Sequence, residues 1–306
     1  SGGGIYKHNA TNEIIVGSPI IMLDAVKEAD ALINIEQRRK KIDLKVDYFF
    51  VDNNQNACNC LKVILNQRGY GDLLGQSIFV HNSTFENQSN NIIKFISKKS
   101  LRSKRAIFLL DQYGYSEVPT QLIRKILNSL PGAEVILTFN VSAFLTYATD
   151  NLSQKLLNKT GIPDAFQGRS IENIKSSEKD WRLFIQSCLH QELVSKCGAR
   201  YYTPFFIRST NGHGDYWLIH LSQHHRARDV MTQVHWQKNN YFIHYGKPGL
   251  DMFSMIGYIP ERDTIYTGQS DLFCFDDPAQ NASIEALLHD IPHLVYARDE
   301  GISFGE

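Results

Sequence analysis

The sequence predicts an α/β protein with a doubly wound, mostly parallel sheet that ends in an antiparallel hairpin. Short apolar runs without polar alternation recur about every 25 to 30 residues, and each is followed by a helix-like segment. Late in the chain, two strand-like runs flank the turn-forming segment STNGHGD at residues 209–215, which favours a hairpin. The 306 residues are enough for one large domain with an extension.

The predicted elements follow in regular order from the amino-terminal glycines. Ser18 and Pro19 are strong helix-start residues, and the helix they begin should extend to about residue 37. Parallel strands are predicted at residues 46–51, 77–80, 106–110 and 134–138, with helices at 55–67, 88–99 and 120–130. A helix at 179–197, hairpin strands at 201–208 and 216–221, and a helix at 224–234 come next.

Two segments lack a clear period. Residues 151–180 are polar and irregular, which is typical of an inserted loop or lid. Residues 235–306 mix glycine, proline and acidic turns, and the sequence assigns them no fold. We therefore predict a domain over residues 1–222 and a carboxy-terminal extension over residues 223–306.

Composition excludes several classes of function. The 32 basic residues balance the 32 acidic ones, so any contact with nucleic acid would have to be local. No apolar run approaches the ~20 residues of a membrane span, so no membrane partner is expected. The five cysteines are an odd number without zinc-like spacing, which predicts no metal site and indicates a reducing, cytoplasmic environment.

Candidate binding residues follow the carboxyl ends of the strands, where ligands of parallel sheets bind. Gly2 and Gly4 let the backbone approach a ligand closely, unless the SGGG start is an engineered leader. Asp52 follows the second strand, counting one expected upstream of Ser1, and can accept two hydrogen bonds from a ribose diol or cap a helix. Asn82 can pair with an adenine edge or cap a turn.

The segment at residues 110–114 carries the sharpest local signal. Leu110 ends an apolar strand, and Asp111, Gln112 and Tyr113 leave it together. The carboxylate can orient or deprotonate a nucleophile, and the tyrosine ring can stack on a planar substrate. The alternative is a polar turn with a half-buried tyrosine.

Several motifs together resemble one family. They are SGGGIY at 1–6, GSPIIML at 17–23, FFVD at 49–52, FLLDQYG at 108–114 with VP at 118–119, YWLIH at 216–220, and the helix start at 224–231. This series is similar to the three-Cys-motif partner proteins over roughly residues 1–235. The resemblance implies a Rossmann-like, class I methyltransferase fold that binds S-adenosylmethionine. The first strand of that fold would lie upstream of Ser1.

The resemblance also implies residue roles. The cofactor-binding residues would be Gly2, Gly4, Asp52, Asn82 and Leu110, and the catalytic residues would be Asp111, Gln112 and Tyr113. The three cysteines of the family name belong to a partner protein. Gln112 departs from the family pattern because it replaces a proline, so the loop loses a fixed φ and gains an N–H donor. That change puts amino methylation in doubt.

Two hypotheses for function remain. The first is methyl transfer from S-adenosylmethionine to a nucleic-acid base or another polar acceptor, with Asp111 positioning the acceptor. The second is a weakly active or inactive interaction subunit. It would work with a metal- or radical-bearing partner that carries the three-cysteine motif, in a phage-defence or mobile-element system.

Overall fold

In a computed structural model, the described residues are 2–7, 12–35, 41–99, 104–112, 118–147, 149–208, 215–237, 248–251 and 277–302. The chain divides into two units, Ser1–Phe95 and Ile96–Glu306, and each is described by itself. The domain boundary at residue 222 stays a prediction.

The first unit contains a small hairpin and a parallel strand pair. The hairpin strands are antiparallel, whereas the longer pair runs parallel with Tyr48 opposite Ile78. The elements are β1 (Ile5–Lys7), β2 (Ile14–Val16), α1 (Ser18–Ile35), β3 (Tyr48–Asp52), α2 (Gln55–Gln67), β4 (Ile78–Asn82) and α3 (Phe85–Lys99). The third helix extends four residues past the boundary of the unit, from Phe95 to Lys99.

The helix α1 begins at Ser18, one residue before the first helical position predicted at Pro19. The carbonyl of Gly17 accepts from the backbone N–H groups of Ile20 and Ile21, at 3.1 Å each, which begins the helical bonding. Side chains from α1, α2, β3 and β4, together with Tyr70 after α2, form one core. Burial of apolar surface there stabilises the unit by about 25 cal/mol per Å². This core consists of Ile20, Leu23, Phe50, Leu61, Leu65, Tyr70 and Ile78.

The second unit surrounds a four-stranded sheet. Its elements are β5 (Ala106–Leu110), α4 (Thr120–Ser129), β6 (Ala133–Asn140), α5 (Val141–Tyr147), α6 (Asp150–Thr160), α7 (Ile171–Ser177), α8 (Trp181–Cys197), β7 (Tyr201–Arg208), β8 (Asp215–Ser222), α9 (His225–Gln237) and α10 (Asp277–Tyr296). The strand order is β5-β6-β8-β7.

This sheet combines a parallel pair with a reversed hairpin. β5 runs parallel to β6, whereas β8 runs antiparallel to both β6 and β7. The predicted parallel pairing and the predicted closing hairpin are therefore confirmed within these strands. The fold is α/β with small sheets that are partly antiparallel.

One face of the four-stranded sheet is a dense apolar layer. Along β6 the residues alternate between buried and half-buried, and the buried set includes Val135, Leu137 and Phe139. The Phe139 ring stacks on the Trp217 ring of β8 with centroids 5.2 Å apart. α4 packs against β6 and α8, so the helices extend this layer.

The prediction of an irregular lid at residues 151–180 is wrong. The segment contains most of α6 and all of α7, and most of its large apolar side chains are buried. Leu157, Ile162 and Ile174 are each at most 2% exposed, so they belong to the core. The segment has few apolar residues, but their spacing lets them face this core. The high polar content of the segment hid that spacing in the sequence.

The structure adds elements that the sequence did not assign. The hairpin β1–β2 follows the glycine turn, and α10 lies in the unassigned tail. Residues 238–247, 252–276 and 303–306 of that tail lie outside the described residues. Among the helices that the structure describes, none combines the length and apolar character needed to cross a membrane.

Candidate functional site

Asp52 is the centre of a polar cluster at the carboxyl end of β3. Its Oδ2 accepts from the backbone N–H of Gly2 at 2.8 Å, and its Oδ1 accepts from that of Asn54 at 2.9 Å. Burial tends to raise the pKa of this carboxyl group, but hydrogen bonds, led by those from Asn54 and Gly2, hold the pKa below its ordinary value. The group is therefore a fixed carboxylate at neutral pH.

The glycine turn meets Asp52 because its backbone takes conformations that side chains disfavour. Gly2 has φ +65° and Gly4 has φ +82°, both in the left-handed region. A Cβ on Gly2 would collide with the Tyr6 hydroxyl, and a Cβ on Gly4 would lie 2.8 Å from Leu61 Cδ1. The Gly4 carbonyl also accepts from Gly17 N–H at 2.8 Å, so the turn is tied to the start of α1.

Asn82 ends the neighbouring strand and joins the same cluster. Its Nδ2 donates to the backbone carbonyl of Asp52 at 3.2 Å, and Ser83 N–H donates to that carbonyl at 2.9 Å. The side chain is exposed. The first unit thus brings together Gly2, Asp52 and Asn82, three of the residues predicted to bind a cofactor.

Asp52 does not cap α2, which answers the alternative raised for it. Asn54 is the N-cap residue, because its Oδ1 accepts from Asn56 N–H at 2.9 Å and from Ala57 N–H at 3.2 Å. Its own N–H holds the Asp52 carboxylate. Sequence reasoning missed this double role, although Asn54 lies directly before the predicted helix.

The second unit carries the other predicted group, at the end of β5. Leu110 is buried, whereas Asp111 is exposed and its Oδ1 accepts from the Thr138 hydroxyl at 3.0 Å. The same hydroxyl lies 3.4 Å from the Leu110 carbonyl, so the shorter contact to Asp111 takes its single proton. Thr138 therefore orients the carboxylate, a role that sequence reasoning missed.

Gln112 bridges two backbone segments with its side-chain amide. Its Nε2 donates to the Thr138 carbonyl at 2.9 Å, and its Oε1 accepts from Val118 N–H at 3.1 Å. Its backbone N–H also donates to Thr138 Oγ1 at 3.1 Å, and the residue is only 5% exposed. Gln112 thus secures both ends of the loop after β5.

Tyr113, the third residue predicted to be catalytic, lies outside the described residues. Pro119 directly precedes α4 in an extended conformation. The predicted site residues therefore form two groups, one at the end of β3 and β4 and one at the end of β5. No family model matches the chain, and no curated protein matches it either.

Proposed function

We propose that the chain binds S-adenosylmethionine and acts as a methyltransferase-like protein. The observation that carries this proposal is the cluster in which Gly2, Asp52 and Asn82 are joined by hydrogen bonds. A backbone turn without side chains, an ionised carboxylate and an exposed amide are groups suited to the methionine, ribose and adenine parts of a nucleoside. Methyl transfer to a nucleic-acid base or another polar acceptor would follow.

The proposal includes the finer fold expectation of one doubly wound, Rossmann-like sheet. Two parallel pairs, β3–β4 and β5–β6, and a reversed hairpin beside β6 support it. Asp111 would position the methyl acceptor, since a methyl transfer depends mainly on alignment. Its contact with Thr138 supports this role because a fixed carboxylate orients an acceptor better than a mobile one.

Calorimetry with S-adenosylhomocysteine tests the proposal. Asp52→Asn removes the charge that would hold the ribose, so we expect the dissociation constant to rise by about 10- to 100-fold. Asp72→Asn is the matched control, because Asp72 is an exposed carboxylate of the same unit. If the unaltered chain releases no binding heat, or if both variants bind alike, the cofactor proposal is wrong.

A second candidate is an interaction subunit that serves a partner with a three-cysteine motif. The use of the Gln112 amide to secure the loop favours it, because that amide is engaged by Val118 and Thr138. Asp111→Ala separates the two candidates. An enzyme should lose transfer from radiolabelled S-adenosylmethionine into a mixture of DNA, RNA and protein while retaining cofactor binding, whereas a scaffold should show no transfer with either chain.

A further inference from the structure

The helix α10 exposes a continuous apolar stripe. Ile284, Leu288, Ile291 and Val295 follow one another at intervals of four, three and four residues. Their exposed fractions are 52%, 71%, 47% and 41%. Leu294, at 44%, widens the stripe on one side. Intervals of four and three place side chains on one helix face, so these residues form a single surface.

The helix has few stabilising contacts elsewhere in the part of the chain that the structure describes. It packs on the 3₁₀ turn Gly249–Asp251, and Ser283 is its one buried residue. Pro292 lies inside the helix, where it removes the N–H that would bond to the Leu288 carbonyl and costs roughly 3 kcal/mol. Such a helix depends on packing of its apolar face.

The size of the stripe indicates a specific interface. The five exposed fractions amount to on the order of 500 Å² of surface on one copy, so a pair that covers all of it buries about 1,000 Å², the lower limit for a specific interface. A patch of this size is as large as the largest apolar patch on a typical monomer, and such patches are often functional. The four-three-four spacing is that of a helix which packs against another helix.

We propose that α10 pairs with α10 of a second copy of this chain, in antiparallel orientation about a two-fold axis. Turned end to end, the stripe matches itself: Ile284 lies opposite Val295 of the second copy, and Leu288 opposite Ile291 of the second copy. The axis passes between His289 and Asp290. Both of these pairs are aliphatic against aliphatic, and both copies use the same residues, as in an isologous interface.

Sedimentation velocity on the full chain tests the pairing. The unaltered chain should sediment with twice the mass of one chain at micromolar concentration. Leu288→Asp should raise the dissociation constant about a hundredfold or more, because it would bury an unpaired carboxylate in the apolar seam. Val230→Asp on α9 is the matched control, since Val230 is also an exposed aliphatic residue, at 54%. This control should remain dimeric.

Disulfide trapping tests the orientation. In a Cys60→Ser background, which removes an exposed thiol, a mixture of Leu288→Cys and Ile291→Cys chains should form a mixed disulfide on oxidation. The Leu288→Cys chain alone should form little disulfide-linked dimer, because residue 288 lies opposite residue 291 of the second copy and not opposite residue 288. Circular dichroism of each variant checks that the chain is folded.

Four results would overturn the proposal. They are a monomeric unaltered chain, a Leu288→Asp variant that remains dimeric, a Val230→Asp control that dissociates as Leu288→Asp does, and efficient trapping of Leu288→Cys with itself, which indicates a parallel pair. If the monomeric chain instead binds phosphatidylserine vesicles and Leu288→Asp abolishes that binding, the stripe binds lipid and self-association is wrong.

Discussion

Gln112 shows how one side chain can replace the conformational restriction of a proline. A proline fixes the loop through φ, whereas Gln112 fixes it through hydrogen bonds to Val118 N–H and the Thr138 carbonyl. The sequence shows the glutamine but not this bridge, because its partner Thr138 is 26 residues away.

Gln112→Ala should destabilise the second unit. It removes the amide from a site that is 5% exposed and leaves the Val118 N–H and the Thr138 carbonyl without this partner, which costs about 1–3 kcal/mol for each buried group. Urea denaturation measures the free energy of unfolding. Gln121→Ala, an exposed glutamine on α4, serves as the control and should change it by less than about 0.5 kcal/mol. Equal effects of the two variants would show that the bridge adds no stability.

The junction of β3 and α2 combines support for the site with helix capping. The strand ends at Asp52 and the helix begins at Gln55, so Asn54 both caps the helix and fixes the carboxylate. The sequence predicted the strand, the helix and Asp52 as a candidate binding residue here, because each of these predictions depends on local residue types. It did not assign the capping to Asn54, since Asp52, Asn53 and Asn54 are all good caps.

Asn54→Ala isolates the capping contribution. The variant loses the Oδ1 contacts to Asn56 and Ala57 but keeps the backbone N–H that binds Asp52. We expect the free energy of unfolding to fall by about 0.5–2 kcal/mol. At temperatures where the variant is folded, its affinity for the cofactor should change little. Asn53→Ala, an exposed neighbour, should leave both unchanged. If Asn53→Ala lowers the free energy of unfolding as much as Asn54→Ala does, then the assignment of Asn54 as the N-cap is wrong.

At the scale of the whole chain, local pattern predicted strands better than their assembly. The four parallel strands and the closing hairpin were placed within a few residues, because buried strands are short apolar runs. The order β5-β6-β8-β7 depends on contacts between distant segments, which no local period encodes. The convergence of Gly2 with Asp52, 50 residues away, is a contact of the same kind.

The region that the sequence misjudged and the region that it left unassigned differ in cause. Residues 151–180 are mostly polar, yet a few residues such as Ile171 and Ile174 bury completely or nearly so, at 2% and 0% exposure. α10 has the reverse property, because its apolar residues are exposed. A pattern that predicts a core face cannot distinguish burial within the chain from burial against a second copy.

Acid stability is a property of the whole molecule to which one buried residue should contribute measurably. His190 on α8 is 3% exposed and packs edge-on against the rings of Tyr202 and Trp217. Burial lowers its pKa from the ordinary 6.5 to about 4, because the charged imidazolium would lose its hydration. Between these two values the unfolded chain binds a proton that the folded chain does not.

The free energy of unfolding should therefore fall as the pH drops from 6.5 to 4, by up to about 1.4 kcal/mol per pH unit and about 3 kcal/mol in total. Urea denaturation at several pH values measures this slope. His190→Gln cannot titrate and should flatten the slope in this window, whatever its effect on absolute stability. Gln121→Ala, an exposed residue without a titrating side chain, should keep the slope of the unaltered chain. If His190→Gln and the unaltered chain lose stability in parallel from pH 6.5 to 4, then His190 is not the residue that links folding to protonation.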